Sequence, residues 1–259
     1  MAPLTFLLIA ATGCATAPPP SARAPLRSPP ARSAVPPGPA QTIVLDAGHG
    51  GHDPGTSHHG LREKSLTLDI AKRLRTRLQA EGLSVVMTRE TDQFIPLSRR
   101  PAMANRLGAD LFVSVHINAH PNRGVSGIEV YYPRDSVVSA SAQWPPAISR
   151  EEIGVPSTTV KQVLWDLVLG RTRVESHTLA AAICHAMRDD LQVPCLGTKP
   201  ARFVVLREAW MPAVLVEVGY VSNQDESVRL GSTEYRQAAA EAIGRGIVAY
   251  IQDVGAQHI

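Results

Sequence analysis

Residues 41–55 read "QTIVLDAGHGGHDPG", and the reading of that stretch decides the fold. "TIVLDA" is a short apolar run of the kind that makes a strand buried on both faces. It leads at once into His49, His52 and Asp53, set among Gly48, Gly50, Gly51 and Gly55. A loop so rich in glycine brings backbone close to something, and its imidazoles suit a metal. Taken alone, the segment fits an ordinary strand-to-helix turn with incidental histidines equally well. The rest of the chain has to choose between them.

Further strand-like runs follow at 83–87 ("LSVVM"), 111–117 ("LFVSVHI"), 127–132 ("GIEVYY"), 203–206 ("FVVL") and 213–218 ("AVLVEV"). Helical periodicity lies between them. Leu66, Ile70, Leu74 and Leu78 repeat at four-residue spacing with Gly82 as a stop, from a start expected near Ser65. Leu179, Ala182, Ile183, Ala186, Met187 and Leu191 make a second stripe, and Ala239, Ile243, Ile247 and Ile251 a third. Strands alternating with helices predict an α/β domain, a sheet of about six strands with helices on both faces. The 259 residues, 44% hydrophobic and 19% charged, suffice for one sizeable core. Residues 133–174 break the rhythm: they are polar and proline-containing up to a short helical run, "KQVLWDLVLG". A link that long inside a domain is uncommon and often functional.

The first forty residues are a different material. "PLTFLLIAATGC" is too short to span a bilayer and reads as a signal peptide over residues 1–14. Small residues before Cys14 make it a candidate lipid attachment point, with a plain secretory signal as the alternative. Residues 15–40 are expected to be an extended tether, because ten of the chain's 21 prolines fall within 1–40. Arg23, Arg27 and Arg32 equal the whole formal net charge of +3, so the domain beyond is neutral and no nucleic-acid partner is expected. The expected location is the cell envelope, periplasmic, with membrane contact only through the N-terminal lipid. Cys184 and Cys195 either pair in an oxidising compartment or serve as small core residues.

Polar chemistry gathers where strands end. His49 follows the first strand, His116 closes "LFVSVH", Glu217 interrupts "AVLVEVGY", and Glu63 precedes the first helix. In open α/β sheets ligands sit at the carboxyl ends of strands, so three of these four should converge there. Two imidazoles and a carboxylate suit a catalytic zinc, and an uncoordinated carboxylate suits a proton acceptor. Individually, His116 also fits a satisfied core histidine, and Glu217 a buried ion-pair partner.

Five ordered motifs then carry a family resemblance. "VLDAGHGGHDPG", "EKSLTLDIAKRL", "VVMTRETDQFIPLSRRPAMANRLGADLFVSVHINA", "GIEVYY" and "VLVEVGYVSN" resemble the zinc-dependent N-acetylmuramoyl-L-alanine amidases of bacterial cell walls, amidase-3 class. The resemblance covers residues 41–252, within an expected catalytic domain of 41–255. It implies a mixed sheet and one zinc ion per chain held by His49, Glu63 and His116, with Glu217 as the catalytic glutamate. Asn118 matches a family asparagine expected to bind substrate, or else is a turn residue. Gly48, Gly50 and Gly51 would bend the loop around the metal, and Asp46 would orient a ligand or cap the turn. His52 and Asp53 would line the site, while Arg89, Arg100 and Asn105 would brace loops.

The implied reaction is hydrolysis of the amide between N-acetylmuramic acid and L-alanine in peptidoglycan, for wall remodelling or daughter-cell separation. In some relatives an inserted helical segment occludes the zinc until a protein activator moves it. Here Glu151 and Glu152 are the candidate autoinhibitory residues, and Val163, Leu164, Leu167 and Val168 the residues expected to pack over the site or onto the partner. A zinc peptidase cutting stem peptides, and a non-catalytic wall-binding or activator protein on the same fold, are the competing readings.

Overall fold

A computed structural model of the chain describes residues 41–135 and 158–256, with side chains left out at 158–165 and 255–256. Cys14, the tether, Glu151 and Glu152 lie outside the described residues, as do the side chains of Val163 and Leu164. Six strands form one mixed sheet: β1 (Thr42–Ala47), β4 (Ser84–Met87), β5 (Leu111–Asn118), β6 (Ile128–Pro133), β7 (Cys195–Ala201) and β8 (Ala213–Tyr220). Their spatial order is β4-β1-β5-β8-β6-β7. The first four run parallel; β6 is antiparallel to β8 and parallel to β7. A two-residue pair, β2 (Ser57–His58) and β3 (Leu61–Arg62), lies in the loop after β1.

Alternation along each strand divides the core. Ile43, Leu45, Val113, Val115, Val214 and Val216 face three helices, α1 (Glu63–Ala80), α3 (Thr158–Leu191) and α6 (Thr233–Ala256). Val44, Phe112, Ala213 and Leu215 face the other way, against α2 (Arg99–Leu107) and the single turn α4 (Val204–Arg207). A shorter helix, α5 (Gln224–Gly231), follows β8. The expected α/β architecture with helices on both faces is what forms.

The heptad-like stripe of α1 is fully buried at Leu66, Ile70, Leu74 and Leu78, and Gly82 follows its end in the left-handed region. Its first residue is Glu63, two before the expected start. The third stripe packs α6 on α3 at close quarters: a Cβ added to Gly246 would stand 2.5 Å from Ile183 Cα. The run "KQVLWDLVLG" is not a separate short helix. It continues through the second stripe as one helix of 34 residues.

One expected strand is corrected. "FVVL" at 203–206 is no strand; Val204–Arg207 is a helical turn whose Val205 and Leu206 fill the core under α2. The sixth strand is instead β7, "CLGTKPA", one of the sheet's two edges, whose apolar residues do not alternate. Pro200 is tolerated there because an edge strand has one unpaired side. Cys184 of α3 and Cys195 of β7 form a disulfide, Cα atoms 5.9 Å apart.

Candidate metal centre and hydrolytic site

The face of the sheet covered by α2 and α4 is apolar at one end and polar at the other. On β5, Phe112, Ser114 and His116 share it, and Glu217 on β8 lies opposite His116 in register. Glu129 on β6 lies opposite Glu217 from the other side. The loop after β1 brings His49 to the same end.

Glu63 is the hub. Its Oε1 lies 3.1 Å from His49 Nε2 and 3.0 Å from His116 Nδ1, and accepts from the Ile117 amide at 3.0 Å. Its Oε2 accepts from the Thr56 amide at 2.8 Å. The helix start that carries Glu63 has no side-chain cap. The loop supplies the missing acceptors instead, Thr56 oxygen to the Glu63 amide and Pro54 oxygen to the Lys64 amide. Burial works to raise the Glu63 pKa, but the hydrogen bonds to both imidazoles prevail and hold it well below the usual carboxylate range. Burial likewise works to lower the His49 pKa, and its bonds to Glu63 and Asp53 raise it on balance.

Among the described residues, His49, Glu63 and His116 are the one group of three such side chains whose ligand atoms lie within 4.8 Å of one another. Two imidazole nitrogens and one carboxylate are the donor set of an open three-ligand zinc site. Asp53 Oδ2 stands 2.8 Å from His49 Nδ1, which leaves Nε2 as the nitrogen turned to the centre. Asp53 thus does more than line the site. Asp46, the sequence candidate for that part, bonds Thr88, Ser114 and Arg100 and no ligand side chain.

Two glycines make room for the donors. A Cβ on Gly48 would lie 2.4 Å from His116 Cε1, and one on Gly55 2.5 Å from Glu63 Oε2. Gly50 and Gly51, expected to wrap the metal, pack instead on the backbone of Gln93 and Phe94. Two buried guanidiniums hold the loop's carbonyls. Arg89 donates to the oxygens of Ala47, Gly48 and Lys64, and Arg100 to those of Ala47 and His49. Arg100 also pairs with buried Asp46 at 2.9 Å. Asn105 bridges Glu208 and Trp210, a loop contact away from the centre.

Glu217 differs from every other carboxylate here. Its Oε2 is buried and has no hydrogen-bond partner among the described residues. Burial first, then the nearby carboxylates of Glu63 and Glu129, push its pKa well above the usual range. A buried carboxyl with an unpartnered oxygen is costly for a purely structural residue, and its position beside the three donors makes it a candidate for proton transfer.

Asn118 turns its Nδ2 to Glu129 Oε2 at 3.2 Å. Tyr131 donates to the same oxygen at 2.6 Å, and Lys199 pairs with Oε1. Sequence reasoning passed over Glu129 and Lys199. The signal for Glu129 was present in "GIEVYY", a glutamate in an apolar strand like Glu217; Lys199 gave none.

A family model described as N-acetylmuramoyl-L-alanine amidase matches residues 43–249. The chain is similar to N-acetylmuramoyl-L-alanine amidase AmiA of Escherichia coli (strain K12), 35% identical over 219 residues, 81% of this chain and 76% of that one. Its structure is similar to N-acetylmuramoyl-L-alanine amidase AmiC2 of Nostoc punctiforme: TM-score 0.65, 33% identity, 82% of this chain and 97% of that. It is also similar to the CwlD amidase of Clostridioides difficile, solved in complex with the GerS lipoprotein: TM-score 0.66, 25% identity, 82% of this chain and 99% of that.

Proposed function

The chain belongs to the N-acetylmuramoyl-L-alanine amidase family, and from that premise we propose that it is a zinc hydrolase. Its substrate is the amide between N-acetylmuramic acid and L-alanine in peptidoglycan. The observation that carries the zinc reading is the convergence of His49, Glu63 and His116 beside a buried, unpartnered Glu217 carboxyl.

His49, Glu63 and His116 would hold a zinc ion, which when bound would supply Lewis acidity to the scissile carbonyl and lower the pKa of a water. Glu63 and the two imidazoles orient the centre, and Asp53 fixes the His49 tautomer. Glu217 Oε2 takes the proton of the attacking water and returns it to the departing alanine nitrogen, with no competing hydrogen bond to break first. Asn118, at the end of β5, would bind substrate on turning from Glu129.

The Cys184–Cys195 disulfide supports a setting outside the cytoplasm, in keeping with export and with a signal over residues 1–14. No helix among the described residues is long and apolar enough to cross a membrane, and lipidation of Cys14 is part of the proposal. A protein activator acting through the segment before α3 is a further part of the proposal. Leu167 and Val174, seven residues apart on α3, are 66% and 68% exposed and give such a partner an apolar stripe. Glu151 and Glu152 would then restrain the centre.

The test is digestion of purified peptidoglycan by the full chain, with zinc and after chelation, products read by mass spectrometry. Zinc-dependent release of stem peptides beginning at L-alanine supports the reading. Cuts within the peptide would point to the peptidase, and no product from a chain lacking 136–157 would point to the non-catalytic alternative.

A further inference from the structure

The polar end of the sheet holds more charge than the hydrolysis uses. Glu129 is 4% exposed and is held by Tyr131, Asn118 and Lys199. Burial works to raise its pKa, yet those from Lys199, Tyr131 and Tyr220 prevail and keep it low. Three side chains thus satisfy this carboxylate. Lys199 is not satisfied in the same sense. Its side chain is 46% exposed, an ammonium carries three donors, and Glu129 is the one acceptor it meets among the described residues.

Position makes those spare donors interesting. Lys199 lies on β7, opposite Tyr131 in register, on the face that carries Glu217. β7 is two strands from β8, about 9–10 Å at ordinary strand spacing, and the lysine reaches back over β6 toward Glu129. Tyr131, its register partner, also meets Phe203, which is 41% exposed and edge-on with ring centroids 5.2 Å apart. A cation with an aromatic shelf, at one side of a hydrolytic carboxyl, fits an extended peptide carrying an anion. Consecutive residues are about 3.8 Å apart, so a backbone-level carboxylate on the residue after the alanine falls roughly 6–8 Å from the scissile nitrogen, a little less than that two-strand separation.

We propose that Lys199 is a specificity-determining residue that binds a carboxylate on the stem-peptide residue following the L-alanine, with Glu129 as the counter-ion that holds the ammonium in place. This rests on the amidase reading above. A buried anion that tethers a half-exposed lysine costs little mobility and aims it.

The experiment compares two soluble glycan–peptide fragments that differ only at that residue, one with its carboxylate free and one with it amidated. Zinc-loaded full chain should cleave the free acid with a kcat/KM roughly 10- to 100-fold higher, the range of a charge-assisted contact. Lys199→Met should bring the ratio near one, and Lys199→Arg should keep most of it. A wild-type ratio near one overturns the inference, as does a Lys199→Met protein that keeps the wild-type preference. If Lys199→Met does not fold, the wild-type and Lys199→Arg ratios decide. Failure to cut either fragment at the muramoyl–alanine amide would sink the amidase reading and this inference together, whereas equal cutting of both sinks the inference alone.

Discussion

At the scale of single residues, the centre is a contest between burial and partners. Glu63 wins partners and stays ionised; Glu217, a few ångströms of fold away, wins none. A carboxyl whose folded-state pKa is raised adds stability at low pH and loses it as pH rises through that value. Glu217 is such a group, so in metal-free protein its ionisation opposes folding. Glu217→Gln should cut kcat/KM roughly 10²–10⁴-fold while keeping bound zinc. With zinc chelated, the same variant should melt several degrees above wild type at about pH 8, the gap closing toward about pH 4. Calorimetry across that range, beside metal analysis, checks both halves. Asp53→Ala tests the neighbouring contact. Loss of the His49 Nδ1 partner should weaken zinc binding roughly 10- to 100-fold, read by competition with a chromophoric chelator. Unchanged affinity would mean that the loop alone orients the ring.

At the scale of elements, close approach between α3 and α6 depends on one absent side chain. Gly246→Ala gains helix propensity of about 1 kcal/mol, but its methyl meets the Ile183 backbone, which cannot swing aside. Overpacking should win, for a net destabilisation of about 1–2 kcal/mol in urea unfolding. Legibility also varied by element. β1, β5, β6 and β8 were readable because strands in the middle of a sheet are apolar on both faces. β7 was not: unlike β4, the other edge, whose Val85 and Val86 are apolar, it carries Thr198, Lys199 and Pro200 facing solvent or ions, and nothing alternates. "FVVL" misled because four apolar residues fill a helical turn as well as a strand. The donors were legible through their motifs; Asp53's bond to His49 and the Glu129–Lys199 pair were not, because each depends on register or loop closure that spacing does not encode.

At the scale of the whole molecule, the disulfide joins the end of the longest helix to the edge strand that carries Lys199. Closing a loop across 11 residues of separation should add about 3 kcal/mol through the unfolded chain. Reduction, or Cys184→Ser, should therefore lower the melting temperature by about 6–12 °C. A loss under about 2 °C would show that packing around β7 already fixes the connection.

The strand order has a consequence for synthesis. β8 is the last strand in the chain, yet it lies between β5 and β6. All three candidate metal donors are in place by residue 116, on elements that can pair without it, whereas Glu217 arrives only with residues 213–220. A chain halted on the ribosome before residue 213 can thus hold all three candidate donors while lacking Glu217. Completion of the sheet from its middle is thus also the step that brings the Glu217 carboxyl to the three candidate donors.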